Sequence, residues 1–273
     1  MKNIFLRGGK ALKIITIGTL KGGTGKTSTV FNLGGILAEQ YKVLMIDVDP
    51  QANLSTNCGV DVTRKNLKTI NNIFENREFS TNIIFEKPIR DLPNLDIIPS
   101  SLELTRTEMR IVSQVGRENV LKNFIYDNKE TLSKYDYILI DTSPLMGIIN
   151  QNAFLIADSL ILVSDVSGNS IQGAELFIAL WDETRTMLRT DNNIKALILN
   201  NCDKRTNLPY DLIAYCKENE SLKDIILDNI IYNSVKVKHT ELEHKPINIL
   251  YKNSNTHASY KKILEELNQK EIF

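Results

Sequence analysis

Ile14-Ile15-Thr16-Ile17-Gly18-Thr19-Leu20-Lys21-Gly22-Gly23-Thr24-Gly25-Lys26-Thr27 is the stretch from which the rest of the chain is read. A β-branched run, Ile14 to Leu20, enters a glycine-rich turn, and the turn opens a segment from Thr27 to Gln40 with Val30, Leu33, Ile36 and Leu37 on one side. That order predicts a buried strand, a tight turn and an amphipathic helix. Glycines let the backbone fold back so that successive N–H groups point inward, and the helix adds its positive N-terminal dipole, so the turn is suited to an anion such as a phosphate. In such a loop Lys26 reaches the β and γ phosphates of a nucleotide and the Thr27 hydroxyl ligates Mg²⁺; Gly22, Gly23, Thr24, Gly25 and Ser28 complete the cradle.

Outward from this unit the pattern repeats. Lys42 to Ile46, Leu95 to Ile98, Tyr137 to Ile140, Leu160 to Val163, Ile194 to Leu199 and Ile225 to Ile231 are short apolar runs bounded by polar or turn residues, and a terminal helix is expected from Ala258 to Gln269. Strands alternating with longer amphipathic stretches predict an α/β fold of the P-loop NTPase kind, a mostly parallel twisted sheet with helices on both faces. Residues Asn53 to Lys87 carry no clear period apart from a helical turn at Ile70 to Phe74. The expectation is one domain over residues 1–273, with 1–12 a short extension and no separate helix-turn-helix.

Composition narrows the function classes. Lys plus Arg and Asp plus Glu both number 33 in 273 residues, so any contact with nucleic acid must be a local patch rather than a property of the whole chain. Cys58, Cys202 and Cys216 form no CxxC pair, so neither a disulfide framework nor a zinc site is expected, and a reducing cytoplasm fits. No stretch approaches the ~20 apolar residues of a spanning helix. His239, His244 and His257 have no metal spacing and are assigned no role.

Two acidic strand ends accompany the loop. In Val43-Leu44-Met45-Ile46-Asp47-Val48-Asp49-Pro50-Gln51 the two carboxylates stand two residues apart and leave the strand on the same face. Beside a metal and a triphosphate one can hold the metal's water shell and the other orient an attacking water. Tyr137-Ile138-Leu139-Ile140-Asp141-Thr142-Ser143-Pro144 has the form of a Walker B strand, with Asp141 facing Mg²⁺.

The loop departs from the general pattern, because Leu20 stands where the first glycine is expected and Lys21 directly precedes Gly22-Gly23. This K-G-G-x-G-K-T arrangement resembles the deviant Walker A motif of the ParA and MinD family, and D-x-D-P-Q resembles that family's second signature. The resemblance implies that Lys21 crosses to the phosphates of a partner subunit in an ATP-sandwich homodimer, that Asp49 positions the hydrolytic water and that Asp47 belongs to the metal shell. It also implies a second switch loop at Leu145-Met146-Gly147, where Ser143 replaces the family's usual proline and a looser loop is expected. Asn200 matches a position near adenine, with Asp203 in the same loop.

Further matching segments are Ser170-Ile171-Gln172-Gly173, Asp203 to Leu208 and Asn233 to Lys245. By resemblance, Arg205 and Lys236 occupy DNA-contacting positions on a surface completed by both subunits, with Lys238 and Lys245 nearby. Glu241 and Glu243 dilute that patch, so weak, salt-sensitive contact with nonspecific DNA of the nucleoid is expected. The implied activity is a slow ATPase that segregates a replicon, stimulated by a centromere-binding partner of the ParB kind. The same core also serves MinD-type membrane regulators, but Glu265, Glu266 and Glu271 oppose a basic membrane anchor in the last helix, so no membrane is expected. A carboxylate-activating ligase of the same superfamily would need an organic-substrate pocket that the sequence does not reveal.

Overall fold

The computed structural model describes residues 6–7, 10–76 and 79–273. A small antiparallel ribbon, β1 (Leu6–Arg7) with β2 (Lys10–Ala11), precedes the main sheet. That sheet contains β3 (Lys13–Gly18), β4 (Val43–Asp47), β5 (Phe85–Glu86), β6 (Leu95–Ile98), β7 (Tyr137–Asp141), β8 (Ser159–Asp165), β9 (Ile194–Cys202) and β10 (Ile226–Tyr232). Their spatial order is β10-β9-β8-β3-β7-β4-β6-β5, and every pairing is parallel except that of β5 with β6.

Each central strand is buried on both faces, so the sequence shows continuous apolar runs instead of polar alternation. The period of two survives in where the side chains go. Val43, Met45, Tyr137, Leu139, Ile15 and Ile17 enter the core beneath α1 (Lys26–Leu37) and α12 (Asn255–Gln269). Leu44, Ile46, Ile138 and Ile140 enter the opposite core, with α3 (Ile70–Asn76), α4 (Leu104–Ile111), α5 (Val120–Asp127) and α7 (Ile148–Ile156). A third cluster lies under α8 (Gly168–Met187) and α9 (Leu208–Glu218), around the fully buried Trp181. Close contact of α1 with the sheet depends on Gly34, where a Cβ would come within 2.2 Å of the Met45 methyl.

The remaining helices are α2 (Asn53–Asn57), α6 (Lys129–Leu132), α10 (Val235–Leu242) and α11 (Ile247–Leu250). The terminal helix begins three residues before its expected start, because the Ser254 hydroxyl caps it by accepting from the His257 N–H. Its apolar face is spent on the core: Tyr260, Ile263, Leu264 and Leu267 are buried, and the ring of Phe273 meets that of Tyr137 at 5.5 Å. Among the described residues no helix is long and apolar enough to cross a membrane, and all three cysteines are buried and free.

β3 lies between β7 and β8, so the connections leaving its carboxyl end and those of its neighbours diverge to opposite sides of the sheet. A crevice at this topological switch point is where open α/β sheets bind ligands.

Candidate nucleotide site

The turn from β3 into α1 occupies this switch point. Gly23 and Gly25 have φ of 78° and 86°, left-handed values that side-chain-bearing residues rarely adopt. Gly25 is doubly constrained, because a Cβ there would lie 2.1 Å from Asn200 Nδ2. The first turn of α1 has no side-chain cap and no acidic residue, so its N–H groups remain available to an anion. Lys26 opens the helix and is buried; desolvation lowers its pKa, against the opposing pull of Asp141 and Asp49.

Asn200 and Asn201 underpin the turn. Asn200 Nδ2 donates to the Thr24 carbonyl at 2.9 Å, and Asn201 Nδ2 donates to the Gly23 carbonyl at 3.4 Å. The sequence reading placed Asn200 beside adenine and its neighbours in a loop. In the structure β9 continues through Cys202, and Asn200 Nδ2 braces the phosphate loop.

Three carboxylates converge opposite Lys26, because β4 and β7 pair in a register that puts Asp47 beside Asp141. Asp47 is fully buried and spends both oxygens on its own turn. Oδ1 accepts from the Asp49 N–H at 3.0 Å, and Oδ2 accepts from the N–H and hydroxyl of Ser55 at 2.9 and 2.7 Å. These hydrogen bonds make Asp47 a brace that fixes the start of α2 and the position of Asp49. Asp49 is 7% exposed and caps the following turn through Gln51 N–H.

Asp141 has the opposite character. It is fully buried, and neither carboxylate oxygen has a hydrogen-bond partner of standard geometry, though the Thr27 hydroxyl is close enough to oppose the rise in its pKa. Burial, with neighbouring carboxylates adding to it, pushes Asp141 up to about 8 and Asp47 up to about 7, against the opposing pull of Lys26 and Thr27 on Asp141 and of the Ser55 and Asp49 hydrogen bonds on Asp47. A buried, unpartnered carboxylate beside a hydroxyl and a lysine is costly unless a cation completes it. The donor set thus fits Mg²⁺. Among the described residues no three acidic, histidine or cysteine side chains form a metal cage by themselves. Mg²⁺ needs none, since it keeps waters and takes phosphate oxygens as ligands.

The loop after β7 is tied down rather than loosened by Ser143. Asn150 Nδ2 donates to the Ser143 carbonyl and hydroxyl, each at 2.9 Å, and to the Leu145 carbonyl at 2.7 Å. Glu108 of α4 packs against Gly147 and accepts from the Ile149 N–H at 3.4 Å.

Lys21 is held by two side chains. Its Nζ lies 2.8 Å from Asp165 Oδ2 and 3.0 Å from Ser167 Oγ, at the carboxyl end of β8. Asp165 and Ser167 also line a 470 Å³ cavity together with Asn201, Asp203 and Thr206, contiguous with the phosphate loop through the Asn201 contact. These partners escaped the sequence reading because Lys21 and Asp165 lie 144 positions apart and no local motif joins them.

The residues expected to contact DNA differ in how far they are engaged. Arg205 is exposed, but its guanidinium is held by Asp203, with Nε at 3.0 Å from Oδ1 and Nη2 at 2.7 Å from Oδ2, and this pairing pulls the Asp203 carboxyl down to about 2. Lys236 lies over the Tyr251 ring and Lys204 over that of Tyr232. Lys238 is exposed on α10, while Lys245 is engaged with Asp91 at 2.8 Å.

Known proteins resemble this chain over most of its length. The AAA_31 family model, described as an AAA domain, matches residues 12–196. The sporulation initiation inhibitor protein Soj of Bacillus subtilis is 31% identical over 240 residues, covering 88% of this chain and 91% of that protein. A putative plasmid partition protein of Borrelia burgdorferi, solved with AMPPNP, is 26% identical with a TM-score of 0.74, over 94% of this chain and 98% of its own. The ATP complex of Cyanothece McdA(D38A) superposes with a TM-score of 0.81 at 23% identity, over 95% and 98% of the two chains.

Proposed function

This chain belongs to the ParA-type partition ATPases, and from that premise we propose that Mg-ATP joins two copies of it into a sandwich that binds nonspecific DNA and lets go on hydrolysis. The observation that carries the reading is Asp141: a buried carboxylate without a partner beside Thr27 and Lys26, facing an uncapped helix turn. In this reading Lys26 and the first-turn N–H groups hold the β and γ phosphates, while Thr27 and Asp141 hold Mg²⁺, which supplies charge neutralisation on the phosphates. Asp49, fixed by the Asp47 brace, orients the attacking water. The 470 Å³ cavity beside the loop has room for the base.

The Lys21 contact suits a residue that changes partners. Its ion pair with Asp165 is partly exposed, at 37% and 25% of the two side chains, and exposed pairs of this kind contribute only about 0–1 kcal/mol. A phosphate reached across a desolvated interface is a better partner, so closure can draw Lys21 out of its own chain. The two ATP-bound subunits would then join their half-patches at Lys236, Lys238 and Arg205 into one face. Each phosphate contact adds salt-sensitive, sequence-independent affinity. Lys245 contributes once it leaves Asp91. The same reading places the protein on the nucleoid in the cytoplasm and has a ParB-like centromere-binding protein stimulate it; likeness to Soj and to a plasmid partition protein supports this. A MinD-type membrane role is disfavoured by α12, whose apolar face is already covered.

The test is duplex DNA binding by anisotropy at low salt with ATP, with ADP and without nucleotide. ATP should tighten binding at least about tenfold over ADP, within the usual range of allosteric coupling. If no nucleotide state binds DNA, the partition reading falls and vesicle binding becomes the next measurement.

A further inference from the structure

A second set of contacts leaves the phosphate loop toward α10. Ser28 follows Thr27 in the first turn of α1, and its hydroxyl donates to Oε1 of Glu241, near the end of α10. One turn along α1, Asn32 accepts from the Ile247 N–H at 2.8 Å and donates to the Ser28 carbonyl at 2.8 Å. Asn248 Nδ2 donates to the Gly35 carbonyl at 3.0 Å. The Asn32–Ile247 and Asn248–Gly35 bonds are buried and hold the segment after α10 against α1. The Ser28 contact is different, since both residues are only partly buried and Ser28 sits in the turn whose N–H groups face the anion.

Glu241 thus already presents a carboxylate to the N-terminal turn of α1, where the dipole favours negative charge. A nucleotide phosphate seeks the same turn, and the two anions repel each other at short range. We propose that Glu241 is a positioning residue that competes with nucleotide for the first turn of α1, so that phosphate binding breaks the Ser28–Glu241 bond and frees α10, the helix carrying Lys236 and Lys238. The inference rests on the nucleotide assignment of this loop, and it adds a route by which that site reaches α10. Linkage requires reciprocity: whatever Glu241 loses on nucleotide binding, its removal returns as nucleotide affinity.

The experiment combines amide hydrogen exchange across α10 with nucleotide titration, each for the parent, Glu241→Ala, Glu241→Gln and Ser28→Ala, with and without Mg²⁺ and a slowly hydrolysed ATP analogue. In the parent, nucleotide should speed exchange at residues 237–243. In Glu241→Ala those amides should exchange fast from the start and ignore nucleotide, while affinity rises about tenfold. Glu241→Gln keeps a hydrogen-bond acceptor without the charge and should fall between. Ser28→Ala should loosen α10 to the same degree yet bind nucleotide more weakly, an opposite sign that general destabilisation does not produce. Unchanged α10 exchange in the parent on nucleotide binding, or unchanged or weaker affinity in Glu241→Ala, overturns the proposal. If the analogue does not bind the parent at all, the nucleotide assignment itself has failed. Neither readout uses DNA, so the partition reading stands or falls separately.

Discussion

Asp141→Asn yields a protein that is harder to unfold and that turns ATP over about 10²–10³-fold more slowly, the loss typical of removing one preorganised charged or polar group from a reacting centre. The stability gain follows from the carboxylate's burial without a hydrogen-bond partner. Below about pH 4 the folded and unfolded chains both hold the proton and the group contributes nothing. As pH rises the unfolded chain ionises first, while the folded chain keeps its proton until about 8, so stability falls across that window and the penalty is complete above it. An amide of the same shape removes this slope, with a gain on the order of a few kcal/mol near pH 8. Urea midpoints from pH 5 to 8 test the first half and turnover at saturating Mg-ATP the second. A variant less stable than the parent at pH 8 contradicts the reading of Asp141 as a site waiting for a cation.

Lys26→Met weakens nucleotide binding by at least about 100-fold, because hydrogen bonds to charged groups contribute roughly 1.5–3 kcal/mol each and Lys26 is placed to reach two phosphates. Fold stability changes much less. Met fills a similar volume, and burial opposes the lysine's charge more than Asp141 and Asp49 favour it, as its lowered pKa records. Titration with a fluorescent nucleotide, alongside urea unfolding, separates the two effects. A large loss of stability with little loss of affinity would make Lys26 a core ion-pair residue instead of a phosphate ligand.

The parts of this molecule that were legible in the sequence are those governed by local rules. β3, the glycine turn and α1 announce themselves by period and glycine placement, and β4, β6 and β7 lie within a residue of their expected bounds because doubly buried strands are short apolar runs between polar residues. Residues 53–87 resisted because their order is tertiary: α2 begins where Ser55 binds Asp47, and no residue type in that segment signals this. The same holds within the site. The sequence marks Asp47, Asp49 and Asp141 as acidic strand ends, but only the contacts make them a brace, a turn-capping carboxylate and an unpartnered carboxylate. Lys21 is legible as an unusual lysine, but its partners Asp165 and Ser167 come from another strand end.

That Lys21 acts on the partner's nucleotide is the central claim, and mixing two inactive variants tests it most directly. Lys21→Ala and Asp49→Ala should each be inactive alone as homodimers. In a two-fold symmetric sandwich, the mixed dimer holds one site with an intact Asp49 and a lysine supplied from across the interface. Equal mixing should therefore restore about a quarter of parent turnover, from half the dimers with one of two sites each. Recovery that rises and falls with the mixing ratio agrees with the sandwich; no recovery at any ratio means that Lys21 serves its own chain, bound to Asp165 as the isolated subunit shows it, and contradicts the account.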